Sequence, residues 1–176
     1  MDSAPRRRLI SSAITLLAEE GVEAVTLRRI AREAGVSHGA PLRHFTGRAE
    51  LLSAVASEGF AELGEVDLPE ASALDRLRAA CRAYLTFAKR NPAMFELMFR
   101  HDLIDTAELD QTVFIRFTKL VEAAQAEGWR TDAEPRMLAA SLWAALHGLA
   151  ELWLWGGLAE RDLPGTLELT LNAYLD

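Results

Sequence analysis

Apolar side chains recur every three or four positions along almost the whole chain, which is the period of an amphipathic α-helix. The first such segment runs from about Arg6 to Glu20 and ends at Gly21. Its apolar stripe consists of Leu9, Ile10, Ala13, Ile14, Leu17 and Ala18. We find no convincing two-residue alternation of the kind that indicates a β-strand. The pattern therefore predicts an all-α protein of about nine helices.

Glycines and prolines punctuate the remaining helical segments, because glycine commonly follows a helix and proline commonly starts or stops one. We predict a linker over residues 64–69 and a break at Asn91-Pro92, since the residue before a proline avoids the helical conformation. Beyond residue 45, helices are predicted at about 48–63, 70–90, 92–101, 106–127, 133–155 and 163–175.

The most informative stretch is VTLRRIAREAGVSHGAPLRHF, residues 25–45. A short amphipathic helix ends at Gly35, where a left-handed conformation costs least without a Cβ. Ser37 offers a hydroxyl to cap a second helix that extends to about His44. The small residues Gly39 and Ala40 would let this second helix approach base edges in a major groove. The layout is that of a helix-turn-helix and predicts DNA binding.

Charge is distributed unevenly along the chain. Residues 1–50 carry eight arginines and six acidic residues, a net charge of +2, whereas residues 51–176 carry eleven basic and twenty acidic residues, a net charge of −9. A basic N-terminal part favours contact with a phosphate backbone, and an acidic body repels it. The Arg6-Arg7-Arg8 run leaves two interpretations open, a solvated disordered start or an arm that contacts phosphates.

Residues 9–56, LISSAITLLAEEGVEAVTLRRIAREAGVSHGAPLRHFTGRAELLSAVA, resemble the DNA-binding region of the tetracycline-repressor (TetR) family. The similarity is carried by a first helix ending in EEG, the T-L-R-x-I-A-x-x-A-G-V-S core, the R-H-F exit and the basic Arg48 that opens the next helix. The resemblance implies an N-terminal three-helix DNA-binding domain over residues 1–63, with the helix at 48–63 as connector. It also implies a helical-bundle domain over residues 64–176 for effector binding and dimerisation.

Two positions of this region, Leu42 and Arg48, depart from the family pattern, and Pro41 is unusual inside a helix. Leu42 stands where the family usually carries a tyrosine whose hydroxyl reaches a phosphate, so we expect weaker or differently placed docking. Arg48 replaces the usual lysine and keeps the positive charge. Pro41 would be the fourth residue of the second helix and would forfeit only its first hydrogen bond. We therefore expect that the second helix forms and that DNA binding persists.

The candidate DNA-contacting residues follow from the motif and the resemblance together. Those expected near base edges are His38, Gly39, Ala40 and Arg43, with Leu42 limited to apolar contact with a sugar or a thymine methyl. Those expected on phosphates are Thr26, Arg28, Ser37, His44 and Arg48.

The segment LWAALHGLAELWLWGGL, residues 142–158, resembles the Trp-His-Gly helix in the C-terminal domain of one TetR subfamily, through Trp143, His147 and Gly148. It is apolar on nearly all sides, so its own domain and a second chain are both expected to cover it. With the last helix it would form a four-helix interface in a homodimer. The predicted interface residues are Leu142, Leu146, Trp153, Leu163, Leu167, Leu171 and Tyr174.

Two copies of the recognition segment, about 34–36 Å apart, would occupy adjacent turns of a palindromic operator in double-stranded DNA. The resemblance also implies a cavity for a small hydrophobic or amphipathic effector, and the middle helices carry surplus aromatic residues and methionines that suit one. The candidate pocket residues are Tyr84, Phe87, Met94, Phe95, Met98, Phe99, Phe114, Phe117, Trp143 and His147.

An alternative function depends on His147 and Glu151, which lie one helical turn apart and could begin a metal site. Under this hypothesis the chain is a helical enzyme or a metal sensor, and the helix-turn-helix is only structural. A metal site needs three or more convergent ligands, and no cysteine or further histidine follows at ligand spacing. The sequence also has no phosphate-binding glycine loop, nucleophile elbow or paired-carboxylate pattern. We therefore expect no enzyme, no metal and no cofactor.

Composition and hydropathy narrow the cellular setting. Cys81 is the only cysteine and falls on an apolar helical row, which predicts a buried structural thiol in a reducing compartment. No run of 18 or more apolar residues and no secretory leader is found, so we expect a cytoplasmic protein that does not enter a membrane. Together these patterns predict a ligand-responsive, homodimeric transcription regulator, a repressor rather than an activator.

Overall fold

The computed structural model describes residues 4–104 and 109–176, with the side chains of 109–111 left out. Two 3-10 turns, Val22–Ala24 and Pro41–Arg43, supplement the α-helices, and no strand occurs within these ranges. The predicted all-α fold is confirmed. The α-helices of the described residues are α1 (Ala4–Glu20), α2 (Leu27–Glu33), α3 (Arg48–Gly64), α4 (Ala73–Arg90), α5 (Pro92–Met98), α6 (Leu109–Ala126), α7 (Pro135–Leu154) and α8 (Leu163–Leu175).

The start of α1 contains the arginine run, for which two interpretations were left open. Because α1 begins at Ala4, the residues Arg6, Arg7 and Arg8 lie in its first two turns rather than in a disordered start. The Arg6 guanidinium lies over the Phe45 ring, 5.0 Å from its centroid, while Arg7 and Arg8 are exposed.

The end of α2 forms as the sequence predicts. Gly35 adopts a left-handed φ of 66°. Its N–H donates to the Arg32 carbonyl at 3.1 Å, and the Val36 N–H donates to the Ala31 carbonyl at 2.9 Å. This is the pair of hydrogen bonds that closes a helix with a left-handed glycine. Val36 therefore leaves the helix at a fixed angle.

The segment after this turn differs from the predicted continuous helix over Ser37–His44. The Ala40 N–H donates to the Ser37 carbonyl at 2.9 Å, and a 3-10 turn follows over Pro41–Arg43. The N-cap of that turn is Ala40, with no hydrogen bond from a side chain, so the predicted Ser37 cap is wrong. The physical reason is that Gly39 and Pro41 both disfavour an α-helix, one through backbone entropy and the other through its missing N–H.

The first compact unit contains α1, α2, nearly all of α3, and α5. Its core includes Phe45, Leu9, Leu17, Ile30, Leu51, Leu52, Phe95 and Met98. Helix α5 packs closely on α3 at Gly59, where an added Cβ would lie 2.7 Å from the sulfur of Met98 and 2.8 Å from Met94. A side chain at Gly59 would therefore force the methionines aside.

The second compact unit contains α4, α6, α7 and α8 together with the segment that begins at Leu63. Helix α4 packs against α7 and α8, which also pack against each other. Arg82 donates to both carboxylate oxygens of Glu168 at 2.8 Å, which joins α4 to α8 at the surface. Cys81 is completely buried, and burial raises the pKa of its thiol to about 12. The predicted buried cysteine is confirmed.

Helix α7 is long and apolar enough to cross a membrane, judged by length and composition alone. In the structure it buries Leu142, Leu146 and Leu149 against the other helices of the second unit. Because the core helix of a water-soluble bundle has the same composition, this finding is weak evidence for a membrane span.

Candidate functional site

Helix α2 is held in place by contacts at both of its ends. The Thr26 hydroxyl oxygen caps it by accepting from the Arg29 N–H at 3.2 Å. The Arg29 guanidinium pairs with Glu20 at 2.6 Å and with Glu33 at 2.9 Å. Its hydrogen bond lowers the pKa of the Glu33 carboxyl below the ordinary value. Arg29 is therefore occupied by neighbouring carboxylates.

Arg48 forms hydrogen bonds with the backbone segment that leads into α2. Its Nε donates to the Val25 carbonyl at 2.8 Å and its Nη2 donates to the Val22 carbonyl at 2.6 Å, with Glu23 3.4 Å away. These contacts tie the start of α3 to the segment that precedes α2. The guanidinium predicted to contact a phosphate is therefore already engaged by backbone carbonyls in this structure.

The corner before α3 is fixed by a carboxylate. Both the N–H and the hydroxyl of Thr46 donate to the same oxygen of Glu50, at 2.7 and 2.8 Å. These hydrogen bonds lower the pKa of the Glu50 carboxyl, and the positive charge of Arg6 adds a smaller effect in the same direction. The turn that carries Arg43 is thus anchored on its C-terminal side.

Seven of the ten predicted DNA-contacting residues are exposed, and the other three are half-buried. A groove of about 360 Å³ is lined by Thr26, Arg28, Arg29, Arg32 and His38. Its lining is rich in hydrogen-bond donors, which suits a phosphate group. The exposed residues are Thr26, Arg28, Ser37, His38, Gly39, Leu42 and Arg43, and the half-buried ones are Ala40, His44 and Arg48.

Arg32 was not among the predicted contacts. It is exposed and lies on the same groove as Arg28 and His38. The positions of Arg28 and Arg32, four residues apart on α2, could have indicated a shared face, because such residues are neighbours on a helix surface.

The second unit holds an open cavity of about 360 Å³. Its wall is aromatic on one side, where the Trp143 ring packs edge-on against Tyr84 at 5.0 Å and Phe117 at 5.5 Å between centroids. Its lining residues are Leu63, Gly64, Val66, Leu68, Arg76, Ala80, Tyr84, Val113, Arg116, Phe117, Lys119, Leu120 and Trp143.

A part-buried polar contact involves Tyr84 of the aromatic wall. The Tyr84 hydroxyl and His147 Nδ1 are 2.9 Å apart. Burial raises the pKa of Tyr84 above its ordinary value, and the negative charge of Glu151 adds to the shift, so the phenol stays neutral. His147 Nε2 lies 3.9 Å from Glu151. Among the described residues, no group of three or more His, Cys, Asp or Glu side chains converges to hold a metal.

The structure brings together only part of the predicted pocket. Tyr84, Phe117 and Trp143 line the cavity, and Phe114 packs on Trp143 with 5.9 Å between ring centroids. Phe87 is buried on α4 outside the lining. Of the remaining five, His147 contacts Tyr84 but does not line the cavity, and Met94, Phe95, Met98 and Phe99 belong to the first unit.

Sequence reasoning missed the basic lining of the cavity. The cationic residues of the lining are Arg76, Arg116 and Lys119. Single charges on helices are usually solvated, so the sequence did not indicate that these three residues lie around one cavity. One local pattern could have indicated part of this lining: Arg116 and Lys119 are three residues apart on α6 and therefore lie on the same face of the helix.

The predicted dimer residues are distributed between the core and the surface. Tyr174 and Ser141 share a hydrogen bond of 3.0 Å between their hydroxyls, and the ring of Trp153 lies 5.9 Å from the Lys89 ammonium. The leucines buried within the unit itself are Leu142, Leu146, Leu163, Leu167 and Leu171. The large apolar residues left exposed on or just after α7 and on α8 are Met137, Leu152, Trp155 and Leu169.

Comparison with known proteins adds to this geometry. Residues 77–174 match the tetracyclin repressor-like C-terminal domain, and residues 9–55 match the bacterial regulatory proteins of the tetR family. The nucleoid occlusion factor SlmA of Vibrio vulnificus is 29% identical over 163 residues, which cover 81% of this chain and 81% of SlmA.

Solved structures share the fold over nearly the whole chain. A protein with unknown function from Rhodococcus sp. RHA1 superposes with a TM-score of 0.83 at 28% identity, covering 99% of this chain and 95% of that one. RolR in complex with resorcinol superposes with a TM-score of 0.70 at 20% identity, covering 96% of this chain and 86% of RolR.

The basic helix-turn-helix and the helical unit with its cavity define a ligand-responsive, DNA-binding transcription regulator. More particularly, the chain belongs to the TetR family, because the C-terminal match alone spans more than half of its residues. The narrower assignment to the Trp-His-Gly subfamily is not confirmed by these matches and stays a prediction.

Proposed function

We propose that the protein is a homodimeric repressor that binds a palindromic operator and leaves it when a small molecule occupies the cavity of the second unit. The observation that carries the proposal is the segment from Ser37 to Arg43, in which all residues except Ala40 and Pro41 are exposed, and which is anchored by Gly35 on one side and by Glu50 on the other. A short turn held at both ends can enter a groove without losing further conformational freedom.

The contacts within the proposed interface divide by chemistry. Arg43 and His38 are exposed and can donate to base edges, where arginine pairs with guanine. Arg28 and the Thr26 hydroxyl lie on the donor-rich groove and suit phosphates. Leu42, with 62% of its surface exposed, offers apolar contact only. Arg48 acts in this proposal by holding the motif in shape.

Dimerisation would use the surface of α7 and α8. Trp155 and Leu169 are each more than 70% exposed, which is unusual for large apolar side chains in a single chain. A second copy would cover them, as a symmetric interface buries the same patch on both partners. The five leucines predicted for this interface are buried within the unit itself, so they would pack beneath the interface and hold α7 and α8 in position.

Effector release would use the covalent continuity of α3. This helix begins at Arg48 next to the DNA-contacting turn, and its last residues, Leu63 and Gly64, line the cavity. The Arg116 guanidinium also donates to the Gly64 carbonyl at 2.7 Å. A ligand that moves this end of α3 would bind the DNA-free form better, and such couplings amount to about 1–3 kcal/mol.

The proposal places the protein in the cytoplasm, as a regulator without enzymatic activity. It is tested by gel shift on genomic fragments at modest salt. We expect Arg43→Gln to weaken binding to the preferred fragment by about 1–3 kcal/mol and to relax the sequence preference. The control Arg90→Gln removes one positive charge from the second unit, and we expect it to leave both the affinity for DNA and the sequence preference unchanged. Equal losses for both variants, or no binding by the wild type, would contradict the proposal.

A further inference from the structure

The cavity of the second unit combines an apolar body with charges of a single sign. Val113, Leu120 and the Trp143 ring form part of its apolar wall. The charged side chains in its lining are Arg76, Arg116 and Lys119, all cationic, while residues 51–176 as a whole carry a net charge of −9. The opening of the cavity is therefore positively charged, although residues 51–176 are acidic overall.

These cations remain available to a ligand. Among the residues whose side chains are described, none of Arg76, Arg116 and Lys119 forms an ion pair with a carboxylate. All three are exposed at the opening. Arg116 donates one N–H to the Gly64 carbonyl, and a guanidinium has further donors to offer. An anionic group at the opening would meet charges that are not yet compensated.

We infer that the effector is an amphipathic carboxylate, with an apolar body against Trp143 and Phe117 and its carboxylate between Arg76 and Lys119. This inference rests on the proposed function, because it names the chemical class of the effector that the regulator would sense. A volume of about 360 Å³ is at the lower end of small-molecule pockets, which favours a compact body. An arginine fork and an ammonium both suit a carboxylate.

The inference is tested by calorimetric titration of the full chain with ligands that share a body and differ in head charge. Phenylbutanoate, phenylbutanol and phenylbutylamine form one series; decanoate, decanol and decylamine form the second. In at least one series we expect the carboxylate to bind about tenfold more tightly than the alcohol, equivalent to about 1.4 kcal/mol, and the amine to bind most weakly. The preference should shrink as salt is added, because the cations are exposed.

Matched variants locate the effect. Arg76→Gln combined with Lys119→Gln should bring the carboxylate to within about threefold of the alcohol, leaving the alcohol unchanged. Arg90→Gln changes the charge of the same helix as Arg76, away from the lining, and should keep the preference. Alcohol binding as tight as carboxylate binding, no binding in either series, or an unchanged preference in the double variant would overturn the inference.

DNA binding measured on the same preparations separates the two proposals. If the protein shifts its operator while the carboxylate preference is missing, the effector class is wrong and the regulator stands. If the carboxylate binds as expected and no duplex is bound, the ligand chemistry stands and the proposed function fails.

Discussion

Replacing Arg48 with methionine tests whether this side chain serves the fold or the DNA. Its Nε and Nη2 donate to the Val25 and Val22 carbonyls at 2.8 and 2.6 Å. A hydrogen bond that involves a charged group contributes about 1.5–3 kcal/mol. Because the Arg48 side chain is 32% exposed, water can partly replace what the variant loses. We therefore expect the pair of bonds to account for about 2 kcal/mol of the free energy of unfolding.

The assay is urea unfolding of the full chain, with hydrogen exchange of the amides at residues 22–30 as a local measure. Arg48→Met should lower the unfolding free energy by about 2 kcal/mol and speed exchange there, and Arg48→Lys, which can make only one of the two bonds well, should lose about half as much. Arg43→Gln is the matched control and should leave stability unchanged. If Arg48→Met keeps full stability but flattens the salt dependence of operator binding, Arg48 is a phosphate contact and our reasoning is refuted.

Three further predictions concern other parts of the molecule. The pKa of the Glu50 carboxyl is lowered in the folded chain, so the ionised carboxylate stabilises the fold above the unfolded pKa, near 4.5, and this stabilisation is lost as pH falls through the folded pKa. Glu50→Gln should therefore lower the free energy of unfolding in urea near neutral pH. If the variant and the wild type still differ by the same free energy in acid, the carboxylate charge is not the cause. The Cys81 thiol, buried and with a pKa of about 12, should resist an aromatic disulfide reagent until urea is added, whereas rapid labelling of the folded chain would show that it is accessible. Trp155→Glu with Leu169→Glu should convert the proposed dimer to a monomer in light scattering, while Leu42→Glu should not; an unchanged mass for the double variant would place the interface elsewhere.

Much of the fold was predictable because helical period and punctuation are local properties. Gly21 follows the end of α1 as predicted, Gly35 adopts the left-handed conformation predicted after α2, and the bounds of α8 at Leu163–Leu175 agree with the predicted helix. The continuous helix predicted over Ser37–His44 is wrong, because the prediction considered only the one hydrogen bond that Pro41 forfeits. Combined with Gly39 it favours successive short turns over an α-helix.

The sites were less predictable because they depend on contacts distant in sequence. Arg48 was expected on a phosphate, and only the folded chain shows the Val22 and Val25 carbonyls within its reach. Met94 and Met98 have the composition of a pocket wall, but they pack at Gly59 in the first unit. A sequence pattern identifies an apolar face without saying which neighbour will cover it.

The most direct test of the account is selection of bound duplexes from a random pool by the purified full chain, followed by hydroxyl-radical footprinting of the enriched sequence. We predict an inverted repeat whose half-sites are centred about one helical turn apart, with protection on one face of the duplex. The same selection with Arg43→Gln should lose base preference at matching positions in both half-sites. Enrichment of a single unrepeated site, or no enrichment at modest salt, would contradict a dimer that places its Ser37–Arg43 segments in successive grooves.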